Sequence, residues 1–495
     1  MHFAEKDSRI TLVDILHIGT FEITRRLTII EVYKEERCME TKLSFSSYLV
    51  IGVMLFALFF GAGNLIFPAS LGQNAGSNVW IAIAGFLVTG IGLPFLGLLA
   101  MGYSGSRSLQ DLASRIHPLY AVVFTSILYL TIGPFFAIPR TGAVSYEVGI
   151  APFVGSGYEQ IALGVFTVIF FGITLWFSLN PAKLVDRVGK VLSPAILVLL
   201  AILLIMVIVK PMGPIGEPQE AYSSSVFMKG FTEGYNTMDA LASLVFGIIV
   251  INTIRKMGVT SKRGILLATI KSGGIAVLLL GIVYVGIAYL GATSTQLLGL
   301  FESGGPVLSG TASHYFGSFG MILMAVIIFL ACLTTSIGVT MACGEYFNSL
   351  FPKISYKVYI VIFSLFSLVV SNIGLSNIIT YSIPVLMFIY PLAIVLMILT
   401  FASPLFNHAR IVYVSATIVT LMISSIDGLK TLCKSLGIDY FDWMKPIVSF
   451  YENTLPFYSQ GLGWLVPVLI VMVVTGIIGR VFNLSIPAVY KRVTS

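Results

Sequence analysis

Asp239 and Arg140 are the acidic and basic residues deepest in the long apolar runs of the chain. A charge at the centre of a bilayer costs about 2.5–3.5 kcal/mol on the insertion scale, so such a residue faces a partner or a cavity. Two readings are open: an Asp239–Arg140 pair that ties helices together, or an acidic group in a binding site. Asp239 lies in Gly234-Tyr235-Asn236-Thr237-Met238-Asp239, a stretch that interrupts one apolar run. A second interruption, Gly61-Ala62-Gly63-Asn64, falls in the middle of LFALFFGAGNLIFPAS, with Pro68 after it. Glycine is about 1 kcal/mol worse than alanine inside a helix, so both stretches are places for a helix to unwind. Unwound backbone at membrane depth is tolerated only when buried in protein or lining a cavity, where its N–H and C=O groups can bind ligands. Glycine taken alone has a plainer use, the close packing of membrane helices. Arg140 lies in FFAIPRTGAVSYEVG, near the outer end of its run, with Glu147 two turns further out and with Pro134 and Pro139 expected to kink the helix.

Other chemistries have no residues to carry them. The five histidines include no HxxxH or HExxH spacing for zinc, and GxxxxGK[ST] is missing, so there is no phosphate loop. Cys38, Cys332, Cys343 and Cys433 form no disulfide framework, and Cys332 and Cys343 are expected to be reduced and buried. Of the 495 residues, 57% are hydrophobic and 10% charged, against about 25% charged in a soluble domain. That composition excludes a water-soluble enzyme, a disordered chain and a nucleic-acid binder, despite the net charge of +7.

The positioning elements are membrane helices. Twelve runs are long and apolar enough to span: 45–71, 79–102, 119–148, 158–178, 189–209, 228–252, 263–292, 317–344, 356–373, 377–400, 409–426 and 461–481. The connections on one side, with the C-terminal tail, hold fifteen Lys and Arg residues; those on the other hold five: Lys210, Lys229, Lys430, Lys434 and Lys445. The positive-inside rule puts the rich side, and both termini, in the cytoplasm. Residues 1–44 are a separate charged segment with seven basic and eight acidic residues, and the first long apolar run follows it, so no cleavable signal peptide is expected. It reads either as a disordered cytoplasmic tail or as a stretch ahead of a true start at Met39, with no part in transport in either case.

The two interruptions lie five spans apart. Paired breaks in corresponding spans of two halves point to a transporter built from inverted repeats, because an odd number of spans reverses the second repeat. The predicted fold is an all-α membrane protein of about twelve transmembrane helices with a 5+5 inverted repeat and discontinuous helices 1 and 6. The first repeat covers about 45–209, the second about 228–400, extra helices about 409–481, and a cytoplasmic tail 482–495.

The motifs FFGAGNLIFPASLGQNAG, GPFFAIPRTGAVSYEVGI, FSLNPAKLVDRVGKVLSP, GFTEGYNTMDALASLVFGIIV and LACLTTSIG, in this order, resemble the branched-chain amino acid:cation symporter family. The resemblance runs from about residue 40 to the C-terminus. It implies the leucine-transporter fold of the amino acid-polyamine-organocation superfamily and sodium-driven uptake of leucine, isoleucine and valine across a bacterial cytoplasmic membrane. In that fold the substrate carboxylate meets free N–H groups of the unwound first helix, here Ala62 and Gly63 beside Asn64, an anion at a half-helix N-terminus. The amino group needs an acceptor, for which the carbonyls from Tyr235 through Asn236 and Thr237 to Met238, and the Asp239 carboxylate, are candidates.

Sodium is a hard cation that needs several oxygens together. Ala331-Cys332-Leu333-Thr334-Thr335 resembles the fold's A-x-x-T-[ST] sodium stretch, which implies the Ala331 carbonyl and the Thr334 and Thr335 hydroxyls, with the Ala57 and Phe60 carbonyls opposite. The plainer reading is that these threonines bond their own helix one turn back. A second sodium site of that fold uses an Asn on span 7, and 263–292 contains none, which puts a second ion in doubt. The alternatives are a carrier of the same fold for another small substrate or for protons, and, with no ring of like charges in view, an ion channel.

Overall fold

The computed structural model describes residues 43–179 and 193–482. Expectations for residues 1–42, for the basic loop with Lys183, Arg187 and Lys190, for the start of the fifth run and for the tail from 483 lie outside the described residues. Within them every regular element is helical. The chain runs through α1 (Phe45–Phe59), α2 (Ala62–Ala75), α3 (Val79–Leu87), α4 (Leu93–Ser104), α5 (Leu109–Ala113), α6 (Pro118–Leu130), α7 (Ala137–Gly149), α8 (Glu159–Ser178) and α9 (Ser193–Val209). It continues through α10 (Val226–Glu233), α11 (Asp239–Lys256), α12 (Lys262–Leu298), α13 (Gly304–Leu350), α14 (Tyr356–Ser371), α15 (Leu375–Ala402), α16 (Arg410–Leu436), α17 (Met444–Thr454) and α18 (Leu465–Val481).

The apolar runs of the sequence fall on these helices. Among the described residues, seven helices are long and apolar enough to cross a bilayer, eight if the bent pair α10–α11 is one span. Four further apolar helices are shorter: Phe45–Phe59, Ile196–Val209, Tyr356–Ser371 and Leu465–Val481. Their outward faces are apolar, as with Val165, Val168, Ile169 and Trp176 on α8 and Ile470, Val473, Val474 and Ile477 on α18. Such a surface suits hydrocarbon rather than water.

Three local features shape the middle of the molecule. Gly133 leaves helical geometry (φ −97°, ψ −127°) inside a π-turn over Thr131–Phe135, so α6 and α7 meet at a kink. Pro134 belongs to that kink. Pro139 does not kink the chain, contrary to expectation: it is the third residue of α7, where a missing N–H is an orphan of the helix start in any case. Arg140 follows it in the first turn of α7, at the kink rather than near the end of the helix. In α13, Gly317 (φ +59°) divides a first segment from the long apolar one that the sequence places from 317 onward.

α12 lies along both α1 and α2 and so spans the first break. Its contact with α2 is backbone against backbone. A Cβ on Gly72 would come 2.0 Å from the Ala288 carbonyl oxygen, and one on Gly291 would come 2.2 Å from that of Ala69. Small residues allow this approach, the usual basis of helix association in membranes. Gly72→Ala is therefore expected to force the helices apart at a cost of about 1–3 kcal/mol. The matched control is Gly172→Ala on α8, where an added Cβ meets nothing within 4 Å. Thermal unfolding in detergent should show the first change lowering the midpoint and the second leaving it level or raising it. Equal midpoints would show that the α2–α12 contact is looser than described.

Candidate functional site

The first break is only two residues long. The Phe60 amide still donates to the Phe56 carbonyl (2.7 Å), but Phe60 turns extended (ψ 98°) and Gly61 is extended as well (φ −133°, ψ −163°). The helix resumes at Ala62, so Ala62, Gly63 and Asn64 are the first turn of α2 and not unwound chain as the GAGN pattern suggests. Their position supplies what the expectation needed, because the first N–H groups of a helix have no partner within it. The Gly61 amide donates to Asn64 Oδ1 (3.0 Å) and is thereby withdrawn from the ladder of α1. The carbonyls at the end of α1 lose their helical donors in the same way.

The second break combines a 3₁₀ turn over Gly234–Thr237 with Met238 in the left-handed region (φ 64°, ψ 7°). A bulky residue there is uncommon, and such strain gathers at functional sites. α11 starts immediately afterwards at Asp239, and the two parts of this span are bent by 46°.

The breaks face each other, and Asp239 lies between them, 4% exposed. Its Oδ2 accepts hydrogen bonds from Asn64 Nδ2 (2.5 Å) and from the Tyr284 hydroxyl of α12 (3.0 Å). Asn64 and Tyr284 are also bonded to each other, so three helices close on one carboxyl group. The Asp239 amide reaches Thr237 Oγ1 (3.4 Å).

Arg140, 3% exposed, lies in the same region but makes no ion pair with Asp239 among the described residues. The reading of the two charges as a simple structural pair fails on this geometry. Arg140 instead donates from Nη1 to the Asn236 carbonyl (2.6 Å) and from Nη2 to the Thr237 carbonyl (3.3 Å), with its guanidinium over the Phe67 ring (5.2 Å to the centroid). These two carbonyls are engaged by a cation, so the expectation that they would receive an amino group is corrected. The Tyr235 carbonyl accepts from the Met238 amide (3.0 Å), which leaves Asp239 as the strong acceptor of the second break.

A cavity of about 30 Å³ opens between the breaks. Gly61, Ala62, Gly63, Asn64, Arg140, Thr237, Met238, Asp239 and Thr335 line it, with apolar walls that include Phe59, Ile132, Phe246 and Val339. Tyr235 and Asn236 do not line it. The Tyr235 ring stacks on Tyr390 of α15 (4.2 Å), and Asn236 Nδ2 turns back to Glu233 (2.9 Å).

At the other side of the first break, α13 meets α1. Thr335 Oγ1 lies 3.4 Å from the Phe60 carbonyl and 3.2 Å from that of Ala331, and Thr334 Oγ1 lies 2.8 Å from the Ala331 carbonyl. The Thr335 hydroxyl thus joins the Phe60 and Ala331 carbonyls, while Thr334 bonds only its own helix and Ala57 lies one turn earlier on α1. A Cβ on Gly61 would come 2.8 Å from Thr335 Oγ1, so this glycine permits the approach. The threonines do bond their own helix, as the plainer reading has it, while Thr335 also reaches across to the break.

Tyr284 was missed by the sequence reading, as were the partners of Arg140. A tyrosine in an apolar run looks like any packed aromatic, and only its helix's crossing of the first break puts its hydroxyl on Asp239. The partner of Glu147 is also only visible here: Ser303, the N-cap of α13, donates to its carboxylate.

Two interrupted helices that meet at a buried site with polar groups and apolar walls are the arrangement found in transporters with discontinuous helices. The fold agrees: the structure of MhsT in complex with L-phenylalanine matches with a TM-score of 0.52 at 16% identity, over 89% of this chain and 99% of that one. The inward-facing conformation of Mhp1 matches with a TM-score of 0.56 at 15% identity, over 90% and 94%. The family profile described as branched-chain amino acid transport protein matches residues 44–482. The branched-chain amino acid permease BraB of Bacillus subtilis is 47% identical over 448 residues, 90% of this chain and 98% of its own. The branched-chain amino acid transport system 2 carrier protein of Pseudomonas aeruginosa is 43% identical over 435 residues, 88% and 96%. The chain belongs to the branched-chain amino acid transport protein family, and is a multi-pass membrane transporter rather than an enzyme.

Proposed function

We propose that this protein imports leucine, isoleucine and valine across a bacterial cytoplasmic membrane by sodium symport. The proposed frame is twelve spans, the first ten forming a 5+5 inverted repeat, with both termini in the cytoplasm. The substrate class is supported by permeases of branched-chain amino acids being 47% identical over nearly the full chain. One observation carries the mechanism: the first turn of α2 and the Asp239 carboxylate face one cavity with apolar walls. An α-amino acid needs those three surroundings. The Ala62 and Gly63 amides take its carboxylate, Asp239 takes its ammonium, and the apolar walls take its side chain.

The proposed sodium ion sits between α1 and α13 on the carbonyls of Ala57, Phe60 and Ala331 and the hydroxyls of Thr334 and Thr335. Its support is an all-oxygen set of neutral donors at the end of an interrupted helix, the kind of set a hard cation needs. Bound there, the cation joins α1 to α13 and offsets the negative end of α1's dipole. Proton coupling is the second reading, favoured by a buried carboxyl group whose partners are all neutral.

Purified protein in liposomes should accumulate leucine under an inward sodium gradient without a proton gradient. Accumulation under a proton gradient alone would replace sodium by the second reading. Lack of leucine uptake under either would overturn the substrate.

A further inference from the structure

We infer that Arg140 binds the carboxylate of the transported amino acid, completing an anion site that the first turn of α2 begins. The inference rests on the amino-acid reading above and adds a residue to it. Four observations carry it. Arg140 is 3% exposed, yet no carboxylate of the described residues is paired with its guanidinium, and Asp239 is held by Asn64 and Tyr284. An arginine has five N–H donors. Two serve the Asn236 and Thr237 carbonyls, and buried Nε has no hydrogen-bond partner at all. A Cβ on Gly63 would lie 2.9 Å from Nη2, so glycine at this position lets the guanidinium rest against the backbone of the first turn of α2. Arg140 and that first turn line the same cavity.

Physically, a buried cation beside a helix N-terminus places two positive ends together, which is unfavourable until an anion joins them. An orphaned buried donor adds to that cost. A carboxylate at this point accepts from the α2 amides and from the guanidinium at once, and relieves the juxtaposition of the two positive ends. The planar, delocalised guanidinium suits a carboxylate, and its seat over Phe67 fixes the plane. Arg140 then reads the carboxylate while Asp239 reads the ammonium, so the site selects a zwitterion. Its hold on the Asn236 and Thr237 carbonyls links substrate binding to the second break.

The test compares leucine with leucinamide, whose neutral amide replaces the carboxylate, in equilibrium binding to the purified protein. The unaltered protein should prefer leucine. In Arg140→Met leucine should weaken by about 10–100-fold, the loss of a charge-assisted hydrogen bond, while leucinamide changes little. The preference for leucine should therefore collapse. A purely structural role in holding the second break would weaken both ligands alike and leave their ratio unchanged; that outcome overturns the inference. Should Arg140→Met not reach the membrane, the ratio is read in Arg140→Lys. There the compact ammonium lacks the planar fork that spans the two carbonyls and a carboxylate at once, so the ratio should fall, and a parental ratio overturns the inference. Failure of the unaltered protein to bind leucine instead overturns the amino-acid reading itself.

Discussion

Asp239→Asn should lower leucine uptake by about two orders of magnitude while leaving the amount of protein in the membrane unchanged. The two parts of this expectation come from different atoms. Asparagine keeps an oxygen that can accept from Asn64 Nδ2 and from the Tyr284 hydroxyl, so the contact that joins α2, α11 and α12 survives. It removes the negative charge that receives an ammonium. A hydrogen bond to a charged group contributes about 1.5–3 kcal/mol, and about 1.4 kcal/mol is tenfold in affinity. Asp239→Ala should do something different: it leaves one Asn64 N–H and the Tyr284 hydroxyl proton buried without their acceptor and so lowers stability as well as uptake. Initial uptake rates, normalised to protein in the membrane, separate the cases. Parental uptake by the asparagine variant combined with misfolding of the alanine variant would assign Asp239 a structural role.

The second large effect is expected at Thr335. Thr335→Ala should raise the sodium concentration for half-maximal uptake by about tenfold or more, the loss of one hydroxyl ligand from a charged centre. Leucine affinity at saturating sodium should change much less. Thr334→Ala should act in the same direction but more weakly. Both hydroxyls meet the Ala331 carbonyl, and only that of Thr335 also reaches Phe60 across the first break. Thr335→Ser keeps the oxygen and should be mild. If both alanine variants keep the parent's sodium curve, the ion does not sit between α1 and α13. If the parent itself needs no sodium, proton coupling through Asp239 becomes the mechanism.

The sequence determined by itself what depends on composition and order along the chain. A chain of this length with 10% charged residues has too few polar side chains to cover a water-soluble surface, so helical membrane spans follow. Glycine-containing stretches around 61 and 234 marked the breaks, because a helix pays its largest backbone entropy cost there and exposes its polar groups. Motif order marked the family. Within the breaks the sequence reading was less sharp. It put Ala62 to Asn64 in unwound chain, and they are the first turn of α2. It offered the carbonyls of Asn236 and Thr237 to an amino group, and they are held by Arg140.

What only the tertiary structure decided is which distant groups meet. Asn64 and Asp239 are 175 residues apart, Asn64 and Tyr284 220 apart, and Phe60 and Thr335 275 apart. Hydrophobic periodicity could not have found these pairs, because nearly every residue of a membrane helix is apolar and the burying face gives little contrast with the lipid face. The choice is made by helix packing, where glycines such as Gly72 and Gly291 let backbones approach closely. The same packing decided that Arg140 and Asp239, the two charges that looked like partners, would stay apart. Asp239 is met by Asn64 and Tyr284, and Arg140 by the Asn236 and Thr237 carbonyls, which leaves both charges directed at one cavity.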